Sequence, residues 1–165
     1  MPALGAYHAI RYTEAMRFIV SRRVDAERFR CNQPYAVISF GDPDQPLPVL
    51  QDDEYRLGVI RVECHDADIE GAASTCFTRA DARRVLDFVD SMKESVSFVL
   101  IHCEAGISRS RGCAVALGHI YGDPFPHAEY GSPNRLIIQR VIDAYNQRSA
   151  QEILVPVVAR AVAWL

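Results

Sequence analysis

Lysine is almost absent from this chain: of its 18 basic residues 17 are arginine, and Lys93 is the one exception. Against them stand 21 acidic residues, giving a formal net charge of −3. No global positive field exists to attract nucleic acid or an anionic membrane surface. Any anion site must be local and built from arginine. Long apolar runs are missing too. The best candidate, Ile153 to Leu165, is interrupted by Pro156 and Arg160, well short of the ~18 apolar residues that a membrane-crossing helix needs. A secretory leader is not expected, because Met1 to Gly5 is too short and Arg11, Arg17, Arg22 and Arg23 break up the residues beyond it. The cysteines (Cys31, Cys64, Cys76, Cys103 and Cys113) are odd in number and lack paired spacing, which argues against a disulfide framework. A reducing, cytoplasmic home is the simplest expectation. There is no repeat and no low-complexity tract.

With 165 residues, 49% hydrophobic and 24% charged, the chain suits a single globular domain spanning residues 1–165. Ala6 to Arg30 reads as helical, with apolar Ala15, Phe18 and Ile19 among many charges. Pro34 to Gly41 and Arg56 to Cys64 read as strands, separated by a proline- and acid-rich surface loop from Asp42 to Glu54. Thr78 with Asp81 three residues on predicts a helix start, and Ala82, Val85, Leu86, Val89 and Met92 fall on one face of that helix. The unbroken run "SFVLIHC" predicts a strand buried on both faces. "SRGCAVALGHIYG" predicts a buried helix closed by Gly122. A further helix is expected with Ser132 as N-cap, Pro133 at its first position and an inner stripe of Ile138, Val141, Ile142 and Tyr145, and a separate last helix after Gln151. Strands alternating with helices give the α/β class: one three-layer domain, a central, mostly parallel sheet flanked by helices. In such sheets ligands bind at the C-terminal ends of the strands, where Cys103 falls.

The bend from Cys103 to Arg109 therefore carries the functional question. Its bare spacing means little, since five cysteines among 17 arginines produce it by chance about half the time, and free cysteine is a common core residue. Context adds the meaning. A buried strand feeds the cysteine, a buried helix starts at the arginine, and small Ala105 and Gly106 lie between. A loop of this shape turns successive N–H groups inward as an anion nest. The helix beginning near Ser108 adds free N–H groups and a positive dipole end. Arg109 offers a planar fork for two phosphate oxygens. A thiol in that field ionises readily.

"HCEAGISRS" resembles the signature loop of cysteine-based protein tyrosine phosphatases, His-Cys, five residues, then Arg and Ser or Thr, and is especially similar to the dual-specificity branch and small bacterial-type enzymes. The resemblance covers roughly Gly58 to Asn146, with the first 55 residues matching only in outline, and "SPNRLIIQ" resembles the family's Pro-Asn helix start. It implies that Cys103 is the nucleophile and that Arg109, with the amides of Glu104, Ala105, Gly106, Ile107, Ser108 and Arg109, holds the phosphate. Ser110 would then stabilise the leaving thiolate, His102 would orient the loop, and Asn134 would brace it. It also implies a general acid on the loop after the strand that precedes the long helix, "CHDADIEGAAST". Asp66 is the first choice and Asp68 the alternative, with Glu63 and Glu70 weaker. The tryptophan and proline that larger relatives carry in that loop are absent.

The chemistry so implied needs no cofactor and no metal. A metal reading of Cys64, His65, Asp66 and Asp68 conflicts with strand alternation, which sends neighbouring side chains to opposite faces. The expected partner is a phosphorylated protein or peptide, with phosphate, sulfate or vanadate as site ligands, and neither nucleic acid nor membrane. Other readings are a phosphatase for a phosphoinositide, whose polyanionic headgroup Glu104 in the loop would repel, or for an RNA 5′ end, and a phosphotyrosine-binding module without turnover. A rhodanese-like sulfur carrier gives no reason for Arg109 followed by Ser110. Ile107 and the 122–132 segment, with Phe125, His127 and Tyr130, are candidate walls for a phenyl ring.

Overall fold

The computed structural model describes residues 15–162. Four strands, β1 (Arg17–Arg22), β2 (Tyr35–Gly41), β3 (Arg56–Glu63) and β4 (Phe98–Cys103), form one sheet in the order β1-β4-β2-β3, and every pairing is parallel. The helices are α1 (Arg23–Ala26), α2 (Arg79–Met92), α3 (Arg109–Tyr121) and α4 (Arg135–Val162), with a 3-10 turn at His127–Glu129. Arg22 pairs with Cys103, and Ser39 with His102. The strands therefore end nearly level, and the loops that leave them converge on one edge.

β4 is central, so all six of its residues are buried. Its alternation feeds two cores. Val99, Ile101 and Cys103 join the larger one, with α2, α3 and α4 on that face. Phe98 and Leu100 join the smaller one, with Ala26, Tyr35 and Val37. That second face is covered by short α1 and by Phe29, Cys31 and Leu50 from the connecting segments. Phe98 and Tyr35 stack at 5.6 Å with rings nearly parallel, and Phe29 meets both edge-on. Burying side chains of this size stabilises the fold by about 1.5–3 kcal/mol each.

α2 starts as expected: Thr78 accepts from the Asp81 N–H while Asp81 accepts from the Thr78 N–H. Ala82, Val85, Leu86 and Val89 form its buried face, with Met92 half-buried. α3 is buried nearly all round and stops at Gly122.

Elsewhere the structure corrects the sequence reading. Residues 17–22, expected as helix, are the edge strand β1, whose Phe18 and Val20 face the larger core; residues 6–14 of that expected helix lie outside the described part. The strand is pinned by Asp123, which accepts from the Phe18 N–H at 2.8 Å and pairs with Arg17 at 3.2 Å. α4 is capped by Asn134, whose Oδ1 accepts from the Ile137 N–H at 3.0 Å, and not by Ser132. Its buried face is Leu136, Ile137, Arg140, Val141 and Ala144, which leaves Tyr145 exposed and Ile138 and Ile142 at the margin. The separate last helix is part of α4, which runs on to Val162.

Candidate active site

Cys103 ends β4 and Arg109 opens α3, so residues 104–108 must reverse the chain at the sheet edge. Gly106 makes that turn possible. Its φ is +72°, and a Cβ there would sit 2.9 Å from the Ser21 carbonyl oxygen. The loop carbonyls point outward: Glu104 accepts from Arg23, Ile107 from Ser132, and Ser108 from both Gly112 and Asn134, at 2.7–3.2 Å. The N–H groups of residues 104–109 donate to no described protein acceptor. Cys103, 2% exposed, lies at the base of this loop with Sγ 3.1 Å from the Ser110 hydroxyl. A ring of unspent N–H groups at a helix start over a thiol is a site for a bound anion.

Gly112 explains how α3 and α4 hold the loop from behind. A Cβ at Gly112 would come within 2.5 Å of the Asn134 carbonyl oxygen, so the helix and the start of α4 touch through backbone alone. The Asn134 N–H then reaches the Ser108 carbonyl at 3.2 Å.

Arg109 is 4% exposed, and its position is set from outside the loop. Nη1 donates to Asp42 Oδ1 at 2.9 Å and to the Cys64 carbonyl at 2.7 Å, while Nη2 lies 3.4 Å from Asp42 Oδ2. Nε is buried without a partner. Asp42 does not stand out in the sequence, where it looks like one acid in a proline-rich loop. Its one signal is its place directly after β2, at the sheet edge where ligands bind.

Asp66 sits on the rim of the loop. Its Oδ1 accepts from the Ser108 hydroxyl at 2.7 Å and from Asn134 Nδ2 at 2.9 Å. Asn134 also donates to the Ala67 carbonyl at 3.0 Å. Its side chain thus braces the acidic loop, and its backbone braces the signature loop. Asp68 turns the other way and accepts from the Arg135 N–H at the start of α4. Glu70 is exposed and pairs with Arg140, and Glu63 points to solvent. His65 lies 3.8 Å from Asp42 and 3.7 Å from Asp44. The side chains of Cys64, His65, Asp66 and Asp68 diverge, and no group of three or more such ligands could hold a metal among the described residues.

His102 is fully buried on the α1 face of β4, and neither ring nitrogen has a well-formed hydrogen-bond partner. Burial first, and the Arg61 charge second, push its pKa down to about 4; the Cys103 backbone and Glu27 pull weakly the other way. The ring is neutral near pH 7. Burial likewise holds the Cys64 thiol up at about 12 and raises Cys113 further. All five cysteines are free. Ile107 is 52% exposed at the loop tip, and Phe125 stacks on Tyr130 beside it at 5.6 Å. His127 is not part of that rim: it is 3% exposed and bonded to Asp123 at 3.1 Å. No described helix is long and apolar enough to cross a membrane.

No family model matches the chain, and no curated protein matches it. Among solved structures it is similar to human DUSP28, at 12% identity and a TM-score of 0.47, over 81% of this chain and 94% of that one. A mouse protein crystallised as a candidate dual specificity phosphatase, complexed with zinc tungstate, shares 17% identity at a TM-score of 0.47, over 79% and 77% of the two chains. Tk-PTP in its active form shares 14% at 0.42, over 81% and 90%. Likeness at these identities and scores adds no weight to an activity.

Proposed function

We propose that the chain is a phosphoric-monoester hydrolase of the cysteine-based protein tyrosine phosphatase kind, working through a phosphocysteine. The observation that carries this reading is the loop itself: outward carbonyls, unspent N–H groups, a thiol at the base and a buried guanidinium at the end.

In the first step the Cys103 thiolate attacks phosphorus. The S–P bond forms as the bond to the leaving oxygen breaks, and Asp66 gives that oxygen its proton. Arg109 and the loop amides follow the charge on the three equatorial oxygens. In the second step water attacks the phosphocysteine, and Asp66, now a carboxylate, takes its proton. The thiolate leaves against the Ser110 hydroxyl, and inorganic phosphate is released. The contact of Asp66 with Ser108 supports it over Asp68, which is spent on α4. His102, buried and unbonded on the far face, is a packed neutral wall in this reading and takes no proton.

The substrate we infer is a phosphorylated protein or peptide, with phosphotyrosine favoured over phosphoserine. Ile107, Phe125 and Tyr130 supply an apolar rim for a phenyl ring. Glu104, 64% exposed in its side chain, disfavours a polyanionic lipid or RNA end.

Cys103→Ser tests the core of the proposal. It should fold, bind vanadate or phosphate, and lose more than ~99% of aryl phosphate hydrolysis. A variant that keeps its rate means another nucleophile operates. The substrate arm compares kcat/KM on matched phosphotyrosine, phosphothreonine and phosphoserine peptides, and equal values would remove the tyrosine preference alone.

A further inference from the structure

The arginines at this end of the sheet mostly have carboxylates of their own. Arg22 holds Asp25 through Nε and Nη2 at 2.7 and 3.2 Å. Arg23 holds Glu27 at 3.1 Å and lies 3.6 Å from Glu104. Arg109 holds Asp42.

Arg111 differs. It forms no ion pair and no side-chain hydrogen bond with any described residue, and its Nε is closed off from solvent without an acceptor. Its guanidinium carbon lies 5.8 Å from the centroid of the Tyr130 ring, and Tyr130 in turn stacks on Phe125. An aromatic pair places this cation without neutralising it. Arg111 also lines a cavity of about 460 Å³ together with Gly106 and Ile107 of the signature loop and Ile19 of β1. The one carboxylate in that lining, Asp25, is already taken by Arg22. The cavity therefore presents a pre-placed fork with no anion of its own, next to the loop that would hold the phosphate.

We propose that Arg111 is a specificity-determining residue, binding the carboxylate of an aspartate or glutamate that lies within about two residues, or roughly 7 Å of extended chain, of the phosphorylated side chain. The inference rests on the phosphatase reading and names the substrate class of that site: an acidic phosphopeptide.

The test measures kcat/KM on phosphotyrosine peptides that carry aspartate at each of the two positions on either side, against the all-alanine peptide and an aryl phosphate with no flanks. The native protein should favour at least one aspartate placement about fivefold to tenfold, and added salt should shrink that preference. Arg111→Gln should abolish it while leaving the all-alanine peptide and the aryl phosphate within about twofold. Arg111→Glu should shift the preference to a peptide with lysine at the same position. A native protein indifferent to every aspartate placement overturns the proposal, as does an Arg111→Gln that loses equally on all substrates. A peptide with a second phosphotyrosine in place of aspartate forms another arm; a preference for it over aspartate that Arg111→Gln removes would replace the carboxylate with a phosphoryl group and overturn the proposal as stated. Failure of the native protein to hydrolyse even the aryl phosphate would instead strike the phosphatase reading, and this inference with it.

Discussion

From Cys103 to Arg109 the chain turns out of β4 and into α3 through residues 104–108, and the carbonyls of Glu104, Ile107 and Ser108 are each held by a neighbour. From Glu63 to Arg79 the chain leaves β3 for α2 through residues 64–78, largely exposed between Asp66 and Ala72 and tied down at a few points by Asn134, Arg135 and Arg140. The first connection is short, and its backbone turn is set by its own residues, a glycine at positive φ and a helix start, while its arginine is aimed by Asp42 from the loop after β2. The second is long, and its working conformation is borrowed from α4. In the proposed reaction the backbone cradle for the anion is thus a local property of the sequence, while delivery of a proton would depend on a distant partner, Asn134 and Asp66 being separated by 68 positions.

Arg109→Lys strikes the short connection and carries the largest expected effect. A lysine cannot span Asp42, the Cys64 carbonyl and two phosphate oxygens at once, so kcat on an aryl phosphate should fall about 10³-fold or more. A loss under about tenfold would mean the guanidinium is not the clamp. Asp66→Asn strikes the long connection. Turnover should fall about 10²–10³-fold on a poor leaving group and far less on an activated one, and the alkaline limb of the pH profile should flatten. Asp68→Asn should leave that limb in place, since its target is the α4 N-terminus. The reverse pattern moves the acid to Asp68.

The same contrast explains what can be read from sequence alone. The two strands of the matched region, the capped α2, the signature loop and α3 all announce themselves over a few adjacent residues. β1 does not, because Ala15, Phe18 and Ile19 fit a helical stripe as well as a strand, and what decides is pairing with β4, about 80 residues away in register with Phe98 to Cys103. The cap of α4 is misread for a related reason. Ser132 is a good N-cap by type, but its N–H is drawn to the Ile107 carbonyl and Asn134 begins the helix instead. Asp42 stays hidden because nothing near it in the chain reveals the arginine it meets, 67 residues on.

His102 offers a pH test of the wall behind the short connection. Its ordinary pKa is 6.5 and its folded value is about 4. Unfolded chains take up the proton as pH falls below 6.5, and the folded protein resists until about 4. The stability tied to neutral His102 is therefore complete above pH 6.5 and lost progressively toward pH 4, by on the order of 3 kcal/mol in total. Carboxylates held below their ordinary value, such as Asp123, act at lower pH. Urea unfolding at pH 7 and pH 5 should show the native protein losing more stability than His102→Phe; equal losses would mean that the ring is hydrated or already charged.

The smallest effect expected, about tenfold, tests whether the two connections are coupled through Asp42. Its carboxylate holds Arg109 from the edge that β2 provides, and His65 of the long connection approaches the same oxygen at 3.8 Å. In the proposed reaction the guanidinium must already face the loop when a phosphate enters, and the bonds to Asp42 hold it in place. Asp42→Asn keeps one acceptor and removes the charge, so kcat/KM on an aryl phosphate should drop about tenfold, with Asp42→Ala somewhat worse. Asp44→Asn is the control, since Asp44 is largely exposed and approaches His65 alone. It should change the rate less than about twofold, an ordinary surface-charge effect. If Asp42→Asn behaves like Asp44→Asn, the Cys64 carbonyl alone suffices to aim Arg109, and the short connection works without help from the loop after β2.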